Sequence, residues 1–125
     1  MKKILVVEDD KVLLNLIRDA LTAEGFEVLG ASNGQEGLNL ALKSHPDLIL
    51  ADIIMPIMNG IEMTAKLRED KWGKNVDIIV LTNLNNEKSV ADFLEKGAYD
   101  YLVKSDWSIE AIVKKVKERL DAKPR

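Results

Sequence analysis

The stretch DLILADIIMP, residues 47–56, places a single carboxylate, Asp52, in the middle of an otherwise apolar run. An ion buried there without partners costs on the order of several kcal/mol. The preceding residues, Leu48–Ala51, are typical of a strand that is buried on both faces of a sheet. Asp52 must therefore either lie at an edge of the structure or stand next to something that needs a negative charge.

Composition limits the class of protein. The chain has 125 residues, 46% of them apolar and 31% charged, which predicts one compact soluble domain over residues 1–125. A formal net charge of -3 argues against direct binding of nucleic acid. Cysteine is absent, which excludes thiolate chemistry and cysteine-ligated metals. The apolar runs are too short for a signal sequence or a membrane span, so we expect a cytoplasmic protein without membrane contact.

Short apolar runs alternate with stretches of helical period. Strands are predicted at Ile4–Val7, Phe26–Leu29, Leu48–Ala51, Ile78–Leu81 and Tyr101–Val103. Apolar residues repeat at helical spacing over Val12–Leu21, Leu38–Leu42, Ile61–Leu67, Val90–Leu94 and Ile109–Leu120. Gly25 is a plausible end for the first helix, and Ser105 or Ser108 a candidate N-cap for the last. This alternation predicts an α/β, flavodoxin-like doubly wound fold, with a five-stranded parallel sheet of order 2-1-3-4-5 and helices on both faces.

Polar or charged residues that could take part in binding or catalysis follow four of the five predicted strands. These residues are Glu8, Asp9 and Asp10 after the first strand, Asp52 after the third, Thr82 after the fourth and Lys104 after the fifth. Strands one and three flank the switch point of such a sheet, and ligands bind outside the carboxyl ends there. Taken singly, Asp10 is best explained as the N-cap of the first helix, and Asp52 equally well as a turn cap. Their placement together favours a functional site.

The residue types at these strand ends indicate phosphoryl transfer. Carboxylates at close range repel one another, and a hard divalent cation relieves the repulsion. Mg²⁺ takes oxygen ligands and keeps several of its waters. Lys104 supplies a point charge suited to a phosphoryl oxygen, and Thr82 supplies a hydroxyl donor. The sequence therefore predicts a phosphoryl-transfer site with Asp52 as the acceptor and Mg²⁺ as the cofactor.

Over roughly residues 2–120 the chain resembles the receiver domain of bacterial two-component response regulators. The resemblance is carried by LVVEDD (5–10), DLILADIIMPIMNG (47–60), IIVLTN (78–83), GAYDYLVK (97–104) and their spacing. It implies that Asp52 accepts a phosphoryl group from the phosphohistidine of a sensor histidine kinase or phosphotransfer protein. It also implies that Asp9, Asp52 and the backbone carbonyl of Ile54 bind Mg²⁺ directly, and that Glu8 binds it through water.

The resemblance also assigns roles at the other strands. Thr82 and Lys104 would hold the phosphoryl oxygens, and Tyr101 would be an aromatic switch that turns inward when Thr82 moves. The protein would take part in its own phosphorylation and dephosphorylation without being an enzyme. A downstream protein target would bind the face near residues 87–120.

The sequence departs from the family pattern in three respects. Ser105 follows Lys104 where the family usually has proline, and Asn83 stands where a small residue is common. Ile54 and Leu84 are apolar where many relatives carry a polar group. Because an apolar side chain cannot orient an attacking water, the last departure predicts slow loss of the phosphoryl group.

Three other interpretations share the predicted architecture. A receiver-like interaction module that is never phosphorylated would be expected to lack an acid, Thr82 or Lys104. A flavodoxin-like cofactor binder needs a hydroxyl- and glycine-rich phosphate loop after the first strand, where this chain has three acids. A hydrolase with an aspartyl nucleophile would carry D-x-D on the first strand. None of the three fits the sequence as well as a receiver domain does.

Overall fold

The computed structural model describes residues 1–82, 91, 95, 100–103 and 108–122. The strands are β1 (Lys3–Val7), β2 (Glu27–Ala31), β3 (Leu48–Ala51), β4 (Asp77–Thr82) and β5 (Asp100–Val103). They pair in parallel in the order β2-β1-β3-β4-β5. The helices are α1 (Lys11–Ala23), α2 (Gly34–Ser44), α3 (Gly60–Glu69) and the C-terminal helix (Ile109–Ala122). The predicted fold class and strand order are confirmed.

Part of the prediction falls outside the described residues. The helix expected between the fourth and fifth strands rests on Val90, Phe93 and Leu94, which lie there, as do Leu84 and Lys104. In the described portion of the chain, no helix is long and apolar enough to cross a membrane.

The sheet divides the core into two apolar clusters, because successive strand residues face opposite sides. Members of the cluster under α2 and α3 include Leu5, Val7, Leu38, Ala41, Ile49, Met63, Leu67, Ile78 and Val80. Members of the cluster under α1 and the C-terminal helix include Ile4, Val6, Ile17, Leu21, Leu48, Leu50, Ile79, Val116 and Leu120. Helices thus cover both faces, as predicted, which is why the strands read as continuously apolar.

Helix α1 begins and ends at the signals expected from the sequence. Asp10 is its N-cap, and its Oδ1 accepts hydrogen bonds from the N–H groups of Val12 and Leu13 at 3.0 and 3.2 Å. Gly25 follows the helix with a φ of 96°, and its N–H donates to the carbonyl of Thr22 at 3.0 Å. Glycine adopts this left-handed conformation at no steric cost, so it ends the helix cleanly.

The apolar repeat that predicts α1 coincides only in part with the buried face of the helix. Val12 and Leu16 are 70% and 52% exposed, whereas Leu14, Ile17 and Leu21 are buried. The buried residues follow the 3–4 spacing of a single helical stripe. Leucine and valine are present on both sides of the helix, so the pattern alone does not identify the inner one.

The second strand differs from its predicted bounds. It is expected at Phe26–Leu29, whereas β2 runs from Glu27 to Ala31 and includes Gly30. Ala31 pairs with Val7 at the end of β1. Backbone pairing with β1 therefore extends the strand through a glycine that has little intrinsic preference for it.

A salt bridge ties the C-terminal helix to the amino-terminal edge of the sheet. Arg119 donates from Nε and Nη2 to the two carboxylate oxygens of Asp77 at 3.1 and 2.9 Å. Nearby, Nη1 of Arg68 donates to the carbonyls of Gly73 and Val76 at 2.6 and 2.9 Å. Burial lowers the pKa of Arg68, and the charge of Asp77 partly opposes that effect. The bidentate pairing of Arg119 with Asp77 fixes the orientation of the two side chains as well as adding energy.

An aromatic stack joins the segment that precedes β3 to the segment that precedes β4, at the same amino-terminal edge of the sheet. His45 follows α2 with a φ of 49°, and its ring lies on that of Trp72, with centroids 4.4 Å apart and planes 9° from parallel. Such a pair stabilises the fold by about 0.5–1.5 kcal/mol beyond its buried area. His45 remains exposed to solvent on its other side.

Removing the hydroxyl of Thr64 should stabilise the protein. Thr64 is 0% exposed in α3, and its hydroxyl has no hydrogen-bond partner among the residues that the structure describes. An unsatisfied buried hydroxyl costs about 1–3 kcal/mol, so Thr64→Val should raise the free energy of unfolding in urea by about 1 kcal/mol. Thr22→Val, the same change on the exposed side of α1, should alter it by less than about 0.5 kcal/mol. A less stable Thr64→Val protein would contradict this account.

Candidate phosphoacceptor site

The pairing of β1 with β3 brings two acids to the same level of the sheet. Val7 is in register with Ala51, so Glu8 and Asp52 are the next residues on the two neighbouring strands. The N–H of Asp52 donates to the carbonyl of Val7 at 3.0 Å, which extends the pairing by one step. The position of Asp52 in the opening stretch is thus explained: it follows the end of a buried strand.

Three carboxylates meet at this edge. One carboxylate oxygen from each of Glu8, Asp9 and Asp52 lies within 4.8 Å of the other two. Glu8 is 2% exposed and Asp52 is 7% exposed, while Asp9 is open to solvent. Oδ1 of Asp52 accepts the N–H of Ile53 at 2.7 Å, and Oε2 of Glu8 accepts the N–H of Asp10 at 3.1 Å. Two buried carboxylates therefore face a third across a short gap.

This donor set fits a magnesium ion. All three groups offer hard oxygen atoms, and their spacing leaves room for a cation that keeps some of its waters. Repulsion among the carboxylates also favours a cation between them, because buried charges interact in a lower effective dielectric than bulk water provides. The chemistry of the site matches the predicted cofactor.

The segment after Asp52, which we call the β3–α3 loop (residues 53–59), is held by its own backbone. The N–H of Gly60 donates to the carbonyl of Ile53 at 2.8 Å, which closes the loop at its base. The N–H of Met58 donates to the carbonyl of Pro56 at 2.7 Å across a three-residue turn. Ile57, at the centre of that turn, has a φ of 70° and is 82% exposed. A β-branched residue is strained in this conformation, so the turn depends on the bonds around it.

The remaining predicted site residues lie on or beyond neighbouring elements. Ile54 lies in the β3–α3 loop with 60% of its surface exposed. Thr82 is the last residue of β4, and Tyr101 lies in β5. Lys104 is outside the described residues, so its position in the site stays a prediction.

Sequence reasoning missed a glycine that contacts the β3–α3 loop. Gly34, the first residue of α2, donates its N–H to the carbonyl of Met58 at 2.9 Å. The available signal was the Asn33-Gly34 pair, in which Asn33 caps α2 by accepting the N–H of Glu36 at 2.8 Å. Capping identifies the start of the helix, but it does not reveal which distant segment the helix touches.

Comparison with known proteins places this geometry in a family. The family model for the response regulator receiver domain matches residues 4–117. The probable transcriptional regulator ycf29 of Pyropia yezoensis is 41% identical over 102 residues, covering 82% of this chain and 46% of that protein. The transcriptional regulatory protein SrrA of Staphylococcus aureus is 39% identical, covering 94% of this chain and 47% of that protein. The chain spans about half the length of the curated relatives it matches.

Solved structures agree with the sequence relatives. A CheY-like response regulator receiver domain protein from Methanospirillum hungatei superimposes with a TM-score of 0.89 at 30% identity, over 97% of this chain and 94% of that one. The chemotaxis response regulator CheY4 of Vibrio cholerae gives a TM-score of 0.87 at 30% identity, over 94% of this chain and 98% of that one. The fold, the acidic edge and the family match lead to one conclusion: this chain belongs to the response regulator receiver domain family of two-component systems.

Proposed function

We propose that residues 1–125 form a single receiver domain that accepts a phosphoryl group on Asp52 in a Mg²⁺-dependent reaction. The observation that carries the proposal is the approach of the Glu8, Asp9 and Asp52 carboxylates to within 4.8 Å. Asp52 is the one that directly follows the central strand β3, and the N–H of Ile53 fixes its side chain. A carboxylate held in this way is oriented for attack.

The proposed transfer forms one bond and breaks one. A carboxylate oxygen of Asp52 attacks the phosphorus of a phosphohistidine, the phosphorus–nitrogen bond breaks, and the imidazole leaves with its electron pair. Thr82 and Lys104 hold the phosphoryl oxygens as hydroxyl donor and point charge. Tyr101 is the switch that responds to Thr82 once the phosphoryl group is in place.

Glu8, Asp9, Asp52 and the backbone carbonyl of Ile54 are the groups that would hold Mg²⁺, Glu8 through water. When bound, Mg²⁺ supplies positive charge that offsets both the carboxylates and the phosphoryl oxygens. Without that charge, an anionic donor meets an anionic edge, which disfavours its approach. The acids therefore make the reaction depend on the cation.

The proposed partners are a phosphodonor and a target protein. A sensor histidine kinase or phosphotransfer protein supplies the phosphoryl group, and a downstream protein reads it at the face near residues 87–120. Val12, Leu16, Ile54 and Ile57 are exposed apolar side chains on α1 and the β3–α3 loop, the two elements that follow the acidic strand ends. They suit a donor protein that must bring its histidine to Asp52. We place the protein in the cytoplasm, with no direct contact to nucleic acid or membrane.

Asp52→Asn should abolish phosphorylation. Incubation of the parent with a small acyl phosphate and Mg²⁺ should add one phosphoryl group, measured as the intact mass, and the variant should gain none. Asparagine retains an oxygen to accept the N–H of Ile53, so the fold should be preserved. Asp19→Asn, an exposed change on α1, should be phosphorylated like the parent. Labelling that survives Asp52→Asn, or that proceeds equally in chelator, rules out the assignment.

Mg²⁺ should stabilise the unphosphorylated protein through Asp9. A ligand that binds only the folded state adds RT ln(1 + [L]/Kd), so a weak site at millimolar metal should contribute about 1 kcal/mol. Asp9→Asn should raise the free energy of unfolding in chelator, because one repulsive charge is removed, and should respond less to Mg²⁺. Asp19→Asn should respond to Mg²⁺ as the parent does. Urea unfolding with and without Mg²⁺ measures both effects, and a parent unaffected by Mg²⁺ would count against the site.

The apolar residues at positions 54 and 84 should prolong the phosphorylated state. Ile54 is exposed beside the acceptor but cannot hydrogen-bond a water in line with the Asp52–phosphorus bond. The double variant Ile54→Asn, Leu84→Glu should lose the phosphoryl group at least about 10-fold faster, which corresponds to about 1.4 kcal/mol of barrier. Decay after removal of the donor measures this rate. Ile57→Asn, the same change elsewhere in the β3–α3 loop, is the control, and equal decay of the parent and the double variant would end the hypothesis.

A further inference from the structure

Gly34 makes a backbone contact that no other residue type allows. A Cβ atom on Gly34 would lie 2.2 Å from the carbonyl oxygen of Met58, 2.8 Å from its carbonyl carbon and 3.0 Å from the carbonyl oxygen of Asn59. All three are main-chain atoms of the β3–α3 loop or its boundary, so no side-chain rotation relieves the clash. Any other residue at position 34 must push the loop and the start of α2 apart.

The β3–α3 loop transmits such a displacement towards the acceptor. Met58 is joined to Pro56 by the 2.7 Å hydrogen bond of the turn, and Ile53 is joined to Gly60 at the base of the loop. Ile53, Met55 and Met58 are buried, which limits how far the loop can deform internally. The N–H of Ile53 in turn holds Oδ1 of Asp52 at 2.7 Å. A short chain of contacts therefore connects Gly34 to the acceptor carboxylate.

We propose that Gly34 is a positioning residue for the phosphoacceptor site, acting through its contact with Met58 to set the place of the β3–α3 loop. The inference rests on the proposed function, because it assigns Gly34 to the support of the same Mg²⁺ and phosphoryl site. Gly34 contacts Met58 and Asn59, neither of which is among the proposed metal ligands. Residues that orient ligands in this indirect way commonly change metal affinity by about 10–100-fold when altered.

The same helix offers a matched control. A Cβ atom on Gly37 would lie 2.8 and 3.0 Å from the Cγ atoms of Val7 and 3.0 Å from Sδ of Met63. These are side-chain atoms of the core beneath α2, and the main chain of Val7, which precedes Glu8, is held by pairing with both β2 and β3. Gly37→Ala therefore disturbs side-chain packing without pressing on the main chain of the β3–α3 loop. The two alanine variants add the same methyl group to the same helix, one against the loop and one against the core.

The test compares Mg²⁺ binding by the parent, Gly34→Ala and Gly37→Ala under conditions in which all three are folded. Titration followed by the amide resonances of Ile53 and Gly60 gives the Kd, and urea unfolding gives stability separately. Gly34→Ala should bind Mg²⁺ about 10-fold more weakly and accept a phosphoryl group from a small acyl phosphate more slowly. Gly37→Ala should be less stable but bind with a Kd within about twofold of the parent.

Either of two binding results would overturn the inference. One is a Gly34→Ala protein with the Kd of the parent, and the other is an equal loss of affinity in both variants. If Gly34→Ala does not fold alone, the comparison is repeated in sucrose, which strengthens burial. Failure to fold there as well also contradicts the inference, because Gly34 would then be a requirement of the whole fold.

The proposed function fails separately, if the parent neither binds Mg²⁺ nor accepts a phosphoryl group. In that case the metal-free resonances of Ile53 and Gly60 still test the positioning role. They should shift in Gly34→Ala and stay near the parent positions in Gly37→Ala. Unshifted resonances in Gly34→Ala would refute the role of Gly34 whatever the site binds.

Discussion

The in-register pairing of β1 with β3 is the constraint on which the site depends. Because Val7 and Ala51 are level, the acids that follow these strands must approach one another. Burial of Glu8 and Asp52 makes that approach unfavourable on its own, since like charges repel more strongly out of water. The strands are held by apolar packing on both faces, and this packing keeps the acids together. The stability of the sheet thus maintains a concentration of negative charge at the carboxyl ends of β1 and β3.

The carboxyl-terminal and amino-terminal ends of the strands differ in what their residues do. At the carboxyl edge lie the acids and the strained turn at Ile57. At the amino edge, the Asp77–Arg119 salt bridge and the stack of His45 on Trp72 hold helices and corners in place. Strain at one edge is tolerated because rigid contacts at the other, and a packed core between them, determine the fold.

The sequence predicts best what local chemistry decides. Asp10 and Gly25 act within one turn of the helix they limit, so their roles can be read from neighbouring residues. The meeting of Glu8, Asp9 and Asp52 was also predictable, because parallel strands end at a common edge and only the strand order had to be inferred. These features follow from short-range patterns combined with one topological rule.

Other features need the folded chain. Asp77 and Arg119 are 42 residues apart, and no local pattern marks either as the partner of the other. In the sequence, Gly34 is recognisable only as the residue after the helix cap Asn33, and its contact with Met58 is visible only in the structure. Val12 and Leu16 resemble core residues by type, yet the packing of α1 leaves them outside. Each case depends on which distant surfaces meet, and sequence period does not specify that.

The Asp77–Arg119 salt bridge also holds one end of the C-terminal helix in place. It fixes the helix near its end, whereas Ser108 caps the beginning at the opposite edge of the sheet, where its hydroxyl accepts the N–H of Ala111 at 3.1 Å. Ile109 is separated from Arg119 by ten residues, or about 15 Å of helix. A tilt of only about 4° around that fixed point therefore carries Ile109 through roughly 1 Å. Because this fixed point lies far from the acids, any tilt of the helix about it would displace mainly the end that lies beside the carboxyl edge of the sheet.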